Sequence, residues 1–215
     1  METAQNVSPL VAALFAAERI AKPGKLDGVH IAGSDAKVST ADLAPKILAY
    51  AFLQLRDEGA LTLEAASKKV LFVTTNWVQT QRTGKQSELT GVAPSLLSFV
   101  KDGKSVKDAV YAWYQQDQTN PWPWAIQLAT QEAIDAGFLQ AVQQGLGGKI
   151  GSFLTGAMPT TITAGKEDEV RAIGAQAAQK WADYNAKEGA LLELLVKQCS
   201  GAIGSRQEQT SAPDV

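Results

Sequence analysis

Few side chains in this sequence could carry out acid–base, nucleophilic or metal chemistry. It contains one histidine, His30, and one cysteine, Cys199. A catalytic site needs an activated nucleophile, a general base or a bound metal ion, each held by its neighbours. Cys199 lies in the apolar run ALLELLVKQC, which favours a buried structural thiol, and a single cysteine excludes an internal disulfide and a cysteine zinc cluster. We therefore expect a protein that is not an enzyme and that holds no metal ion and no cofactor.

Two segments share only part of a known catalytic or nucleotide-binding pattern. A serine and an aspartate follow His30 four and five residues later, but such spacing in a glycine-containing loop does not by itself form a catalytic triad. The segment GLGGKIGS, residues 145–152, contains a Gly-Lys pair. A phosphate-binding loop needs a serine or threonine directly after that lysine, whereas Ile150 stands there. Neither segment predicts catalysis or nucleotide binding.

Positive charge is concentrated in one stretch, although the whole chain has a formal net charge of −2. Residues 68–107 contain seven basic side chains and two acidic ones. If they converge in space, they form a surface for anions such as phosphate headgroups or nucleic acid. The alternative is a scatter of solvated charges. The candidate anion contacts are Lys68, Lys69, Arg82 and Lys85.

One segment contains no charge at all: IGSFLTGAMPTTITAG, residues 150–165. It is too short and too rich in glycine, threonine and proline for a membrane-spanning helix, but it could form an apolar hairpin. Such a hairpin could pack inside the domain, or reach a membrane or another subunit through Phe153, Leu154 and Met158.

The first half of the chain predicts helices and a hairpin. Ser8 and Pro9 suit the start of a helix that ends near Ile20, and a short strand is expected at 29–32. A second helix begins at 39 or 40 and ends where Gly59 can adopt the left-handed conformation. Two short strands, 60–64 and 69–74, then form a hairpin, and the polar segment 76–91 is expected to be a loop. A helix followed by a hairpin is the winged-helix pattern.

The second half repeats part of this pattern. A capping box of Ser105 and Asp108 opens one helix, and another begins at Asn120 and ends at Gly137. The blocks RDEGALT and IDAGFLQ each lead from a helix into an expected strand. The sequence therefore predicts a mostly α fold with short β-hairpins: a compact single domain that contains two winged-helix-like helix-plus-hairpin units.

The last third predicts two amphipathic helices and the end of the domain. Their apolar stripes run from Val170 to Tyr184 and from Leu191 to Cys199. The final residues are polar with no apolar period, so we expect a single domain over 1–203 and a disordered tail over 204–215.

Two tryptophans flank a proline in NPWPW, at the start of the helix that ends at Gly137. Helical spacing places Trp122 on the apolar stripe, and it places Trp124 beside glutamines and an aspartate. We expect Trp122 in the core and Trp124 at the boundary between core and solvent, where its ring N–H can find a polar partner.

The layout resembles the Golgi phosphoprotein family over most of residues 8–202. The resemblance rests on LQLRDEGALTLE, QEAIDAGFLQ, SFLTGAMPTTI and KEGALLELLVKQ. It implies a mostly helical domain that binds phosphoinositide headgroups at a membrane surface, with an apolar hairpin at 151–162 for membrane contact or self-association. Headgroup-binding members carry a tryptophan and three arginines in their pocket, and the matching positions here carry Ser39, Leu48, Pro123 and Ile126.

These patterns leave three functions open. The first is a non-enzymatic peripheral-membrane or adaptor protein that meets an anionic membrane surface or another protein. The second is a winged-helix nucleic-acid binder, which the net charge of −2 makes the less favoured interpretation. The third is a structural subunit that assembles into a homo-oligomer through 150–165. No secretory signal or membrane-spanning run is visible, so we expect a cytoplasmic protein, with or without peripheral membrane association.

Overall fold

The computed structural model describes residues 7–25, 28–33, 36–71, 73–114, 120–142 and 159–211. The described helices are α1 (Pro9–Phe15), α2 (Ala17–Ile20), α3 (Thr40–Asp57), the 3-10 helix η1 (Ala93–Phe99), α4 (Val106–Trp113), α5 (Pro121–Asp135) and α6 (Glu167–Ser211). The strands are β1 (Gly28–His30), β2 (Lys37–Ser39), β3 (Leu61–Val70), β4 (Val73–Arg82), β5 (Leu139–Ala141) and β6 (Thr160–Ile162). They form three antiparallel two-stranded sheets, β1–β2, β3–β4 and β5–β6. The fold is thus mostly α with antiparallel hairpins, as the sequence predicted.

Helix starts follow the local capping chemistry. The Ser8 hydroxyl accepts a hydrogen bond from the Leu10 amide at 3.2 Å at the start of α1. Ser105 and Asp108 form the predicted capping box at the start of α4. The predicted helix from Pro9 to Ile20 is interrupted by a turn at residue 16, which divides it into α1 and α2.

Helix α3 is the centre of the main core. Residues on nearly every side of α3 are buried, including Leu43, Ile47 and Leu53. A helix that is apolar all round is typical of a position surrounded by other elements. Helices α1, α5 and α6 pack against it. A smaller second cluster, which includes Val11 and Phe138, lies beside this core.

Helices α3 and α5 both end in the same turn and lead into a hairpin. In each, a left-handed glycine follows the helix and two backbone hydrogen bonds of 2.8–2.9 Å close the Schellman motif. The donor–acceptor pairs are Gly59–Arg56 and Ala60–Leu55 after α3, and Gly137–Ile134 and Phe138–Ala133 after α5. The two predicted helix-plus-hairpin units are therefore present, and we call them the first unit (α3, β3 and β4) and the second unit (α5, β5 and β6).

The hairpin of the first unit is longer than the sequence predicted, and the predicted position of its turn is wrong: the reversal falls between Val70 and Val73, inside the strand expected at 69–74. Its strands cover Leu61–Val70 and Val73–Arg82, so residues 76–82 belong to β4 and not to the expected polar loop. Only the part near α3 shows the usual alternation, with Leu63 and Val78 buried. The outer part carries polar and charged side chains on both faces. Strands are recognised from alternating apolar residues, so this part could not be predicted from the sequence.

The predicted disordered tail is wrong for residues 204–211, which continue α6 to Ser211. Buried Ala202 and Ile203 and a hydrogen bond from the Tyr111 hydroxyl to Gln209 hold this end of the helix against α4. Helix α6 is kinked at Glu188, whose backbone has φ −147° and ψ 42°. The kink falls between the two apolar stripes that predicted two helices. Within the described ranges, no helix has both the length and the apolar character needed to span a membrane.

Candidate functional site

The four predicted anion contacts lie in two groups, at opposite ends of the β3–β4 hairpin. Lys68 and Lys69 are near its tip, opposite Thr75 and Thr74. Arg82 is at its base, opposite Leu61, and Lys85 comes three residues later. A strand rises about 3.3 Å per residue, so about 25 Å of strand separates the groups. All four side chains are exposed, but they do not form one patch.

The residues at the base of the hairpin are hydrogen-bonded to the body of the protein. The Lys85 ammonium donates to the Glu58 carbonyl oxygen at 2.7 Å, at the end of α3. The backbone N–H of Arg82 donates to an Asp102 carboxylate oxygen at 2.8 Å. These contacts fasten the hairpin to the body of the protein. The base therefore has a structural role that the tip does not share.

Further basic residues lie beside the base end of β4. The Thr80 amide donates to the Lys104 carbonyl oxygen, and the Gly103 amide donates to the Thr80 carbonyl oxygen, both at 2.9 Å. The loop that contains Lys101 and Lys104 is thus attached next to Thr80, nearer the base than the tip. Within the described residues, Lys68 and Lys69 lie at the tip, whereas Arg82, Lys85, Lys101 and Lys104 lie toward the base, so the basic stretch predicted from the sequence does not form one surface.

The tip of the hairpin combines positive charge with an exposed apolar side chain. Leu71 is 83% exposed, and Lys68, Lys69, Thr74 and Thr75 beside it are exposed as well. Successive strand residues point to opposite faces, so exposure on both faces means that this end stands clear of the domain. We call Lys68, Lys69 and Leu71 the hairpin tip.

Leu71 also has an unusual backbone conformation. Its φ is 56°, and it is the only residue other than glycine with a positive φ in the described ranges. For a residue with a β-carbon this conformation costs about 1–2 kcal/mol relative to ordinary regions. A tight reversal that used glycine would avoid this cost but would have no side chain to present. Sequence reasoning missed Leu71 because KKVLFVTT contains none of the usual turn residues.

The second predicted contact surface falls largely outside the described residues. Phe153, Leu154 and Met158 lie there, so their role in membrane contact or self-association stays a prediction. The described end of the uncharged segment forms β6, which pairs with β5. In β6, Ile162 packs against the second hydrophobic cluster. This end of the segment therefore packs against the domain through the half-buried Ile162, whereas Thr161 is exposed.

The two tryptophans of NPWPW share a similar environment. Trp124 is half-buried, at the edge of the core, and its ring lies 4.3 Å from that of Trp113 and 4.7 Å from that of Tyr114. Trp122, which we expected in the core, is half-buried too. Proline rings at 121 and 123 are the buried groups instead.

The single cysteine is placed as a structural group in this fold. Cys199 is fully buried, as its apolar surroundings predicted, and burial raises the pKa of its thiol well above the usual range. A thiol that stays protonated is a poor nucleophile. Among the residues that the structure describes, no three histidine, cysteine, aspartate or glutamate side chains are grouped so that they could hold a metal ion.

A polar network that the sequence did not indicate joins α3 to the kink of α6. The Arg56 guanidinium donates two hydrogen bonds of 2.7 Å to the Glu188 carboxylate. The Tyr184 hydroxyl donates to Asp57, and it accepts from the Gln54 amide at 2.7 Å. Burial, then the contact with Asp57, raises the pKa of Tyr184, so its hydroxyl remains a donor.

No protein-family model, no curated protein and no solved structure matches this chain. Three of the four positions that the sequence resemblance matched to a headgroup pocket are buried in the fold. They are Leu48, Pro123 and Ile126, so these positions cannot contact a headgroup in this structure.

Proposed function

We propose that this chain is a non-enzymatic peripheral-membrane protein that contacts anionic bilayers through the hairpin tip. The observation that carries the proposal is Leu71, an apolar side chain that is 83% exposed at the end of a projecting hairpin. A single exposed apolar side chain is common on protein surfaces, so Leu71 supports the proposal only together with the basic side chains beside it. The neighbouring Lys68 and Lys69 favour a negatively charged surface as the partner.

The order of residues suits an upright approach of the hairpin to the membrane. Lys68 and Lys69 are consecutive in β3, so their side chains leave opposite faces of the hairpin. Each ammonium group can reach lipid phosphates on its own side while Leu71 enters the boundary between headgroups and acyl chains. No acidic residue lies between Lys68 and Arg82 in the sequence. The tip therefore carries no charge that an anionic surface would repel.

The expected strength is low. Each lysine near an anionic surface contributes about 1 kcal/mol, and burying one leucine side chain contributes about 2 kcal/mol. The total of about 4 kcal/mol corresponds to a dissociation constant near 1 mM. One tip would bind transiently, and two tips in a homo-oligomer would bind more strongly through their higher effective concentration.

The proposal uses one property that the resemblance to Golgi phosphoproteins implies, which is peripheral membrane binding, and it leaves out the headgroup pocket. Those proteins bind membranes peripherally, as we propose here, but three of the four positions matched to their headgroup pocket carry buried apolar residues in this chain. We therefore propose contact with an anionic surface in general and not with one phosphoinositide. Nucleic-acid binding is less supported, because the basic side chains are divided between the two ends of the hairpin.

Co-sedimentation at millimolar lipid tests the proposal. We expect binding to vesicles made from equal parts phosphatidylcholine and phosphatidylserine, and little binding to phosphatidylcholine alone. High salt should release the protein, since the Debye length falls from about 10 Å at 0.1 M to about 3 Å at 1 M salt. Equal binding to both vesicle types, or no binding to either at low salt, would overturn the proposal.

Charge variants at the two ends of the hairpin provide a matched comparison. Lys68→Gln with Lys69→Gln should weaken vesicle binding roughly tenfold or more, because about 2 kcal/mol of attraction is lost. Arg82→Gln with Lys85→Gln removes the same charge from the base and should have much less effect. An equal loss in both double variants would mean that net charge, and not the tip, governs binding.

A further inference from the structure

A groove of about 530 Å³ lies between α1, α3 and the first half of α6, away from the hairpin tip. Its volume falls in the range typical of small-molecule sites, about 300–1,000 Å³. One part of its lining is apolar and includes Pro9, Ala12 and Ile173. Tyr50, Gln54 and Lys180 contribute polar groups at the other part.

Tyr50 contributes a polar side chain to the lining of the groove. Only 3% of the residue is exposed, so its position is fixed by the packing around it. Burial and the nearby Asp57 raise the pKa of Tyr50 to about 12. The hydroxyl is therefore protonated at neutral pH and can donate a hydrogen bond.

The neighbouring polar groups are held in fixed positions. Gln54 accepts a hydrogen bond from the Lys180 ammonium at 3.1 Å and donates one to Tyr184 at 2.7 Å. Tyr184 in turn donates to Asp57. An ammonium group has three N–H donors, so Lys180 retains donors for a ligand after its contact with Gln54. Lys180 and the Tyr50 hydroxyl are thus two donors that line the same groove.

The charges along the groove distinguish its two ends. Lys180 is eleven residues after Glu169 on α6, which corresponds to about 16 Å along a helix. Glu169 pairs with Lys166 at 2.6 Å, so the charge at that end is already balanced. An anion therefore gains most at the Lys180 end, and the apolar residues lie between that end and Glu169.

We propose that this groove binds a small amphipathic anion, with its carboxylate or phosphate at Lys180 and the Tyr50 hydroxyl. The apolar part of the ligand lies toward Ile173, Pro9 and Ala12. The charged head and the apolar tail are both required, because the groove is open and neither contact alone gives more than a few kcal/mol. This site is separate from the hairpin tip, and it does not depend on membrane binding.

Titration of the ¹⁵N-labelled protein with decanoate, followed by NMR, tests this proposal. We expect saturable shifts of backbone amides in α3 and the first half of α6. Acetate, which lacks the tail, and decyltrimethylammonium, which carries the opposite charge, should bind at least tenfold more weakly. Decyl phosphate shows which head the site prefers. No saturable shift with either decanoate or decyl phosphate, or equal affinity for decyltrimethylammonium, would overturn the proposal.

Three conservative variants locate the site. Tyr50→Phe keeps the ring and should weaken decanoate binding about two- to tenfold, the value of one hydrogen bond. Lys180→Gln removes a charge-assisted contact and should cost about tenfold or more. Lys187→Gln removes an exposed lysine further along α6 and should leave affinity unchanged. Unchanged binding in both groove variants, or an equal loss in Lys187→Gln, would contradict the assignment.

Discussion

The first and second units share a backbone turn but differ in the hairpin that the turn leads into. After α3 and after α5, a left-handed glycine and the same pair of hydrogen bonds redirect the chain. The hairpin of the first unit then extends for ten residues per strand and ends in an exposed, basic tip. The described strands of the second unit are three residues long and pair beside the second hydrophobic cluster. A shared supersecondary element therefore does not imply a shared function, which depends on the side chains that the element carries.

The polar anchors of the two units differ as well. Gln54 and Glu132 occupy equivalent places, five residues before the turn glycine. Gln54 belongs to the network that reaches the kink of α6. Glu132 accepts hydrogen bonds from the Ser8 hydroxyl and the Val92 amide. The first unit is thus attached to α6, and the second is attached to residues just before α1 and η1.

Truncating the first leucine of each hairpin should have the largest effect on stability. Leu61 and Leu139 occupy equivalent positions and are both buried, but Leu61 belongs to the main core and Leu139 to the small second cluster. Leucine-to-alanine changes in cores cost about 2–5 kcal/mol, depending on how far the cavity can close. We expect Leu61→Ala toward the upper end of that range and Leu139→Ala toward the lower end.

Urea denaturation of both variants measures these costs. A cost for Leu139→Ala that equals or exceeds that for Leu61→Ala would mean that the two clusters are equally well packed. The contrast between the units would then be limited to their surfaces.

Replacing the turn glycines should have smaller and equal effects. An added β-carbon at Gly59 or Gly137 meets no atom within 4 Å, so only the positive φ opposes the change. Gly59→Ala and Gly137→Ala should each cost about 1–2 kcal/mol. Gly204, inside α6 and equally unobstructed, provides the control: Gly204→Ala should stabilise the protein by about 0.5–1 kcal/mol.

Thermal and urea unfolding of the three glycine variants would test this equivalence. A clear difference between the two turn variants would show that the two turns differ in local strain although they share the same hydrogen bonds. Destabilisation by Gly204→Ala would indicate that the end of α6 is not helical in solution.

The pH dependence contributed by Glu132 should be the smallest effect. Burial raises its pKa, although the hydrogen bonds from Ser8 and Val92 oppose that shift. A carboxyl whose pKa is raised in the folded state stabilises the fold below the unfolded pKa, about 4.3 for glutamate. That stability is lost as the pH rises through the raised value.

Glu132→Gln removes the titrating group, so the free energy of unfolding should depend less on pH just above the usual pKa of glutamate. Urea denaturation at several pH values provides the measurement, and Glu193→Gln, at an exposed site on α6, is the control. If the free energy of unfolding instead rises with pH through this window, and Glu132→Gln removes that rise, then folding lowers the pKa of Glu132 and does not raise it.

The parts of the fold that depend on neighbouring residues could be predicted from the sequence. The caps at Ser8 and Ser105 and the turns at Gly59 and Gly137 all depend on side-chain and backbone chemistry within one turn of the helix. The resemblance between RDEGALT and IDAGFLQ predicted the shared turn for the same reason.

The parts that depend on tertiary contacts could not be predicted. The outer half of the β3–β4 hairpin lacks an apolar period, and residues 204–211 form a helix only because the preceding turns are anchored in the core. The contact of Arg56 with Glu188 joins residues far apart in the sequence. Of the four anion contacts predicted from the sequence, Lys68 and Lys69 are adjacent, and Arg82 and Lys85 are distant from them. Their role in binding an anion stays a prediction.

The central claim is that the hairpin tip of the first unit contacts the membrane. Leu71 and Val142 are the two large apolar side chains that are exposed in the described ranges, one at each hairpin. Co-sedimentation of Leu71→Asp and Val142→Asp with phosphatidylcholine–phosphatidylserine vesicles compares them directly. We expect Leu71→Asp to abolish binding and Val142→Asp to leave it nearly unchanged. Loss of binding in Val142→Asp, with Leu71→Asp unaffected, would assign membrane contact to the second unit and contradict this claim.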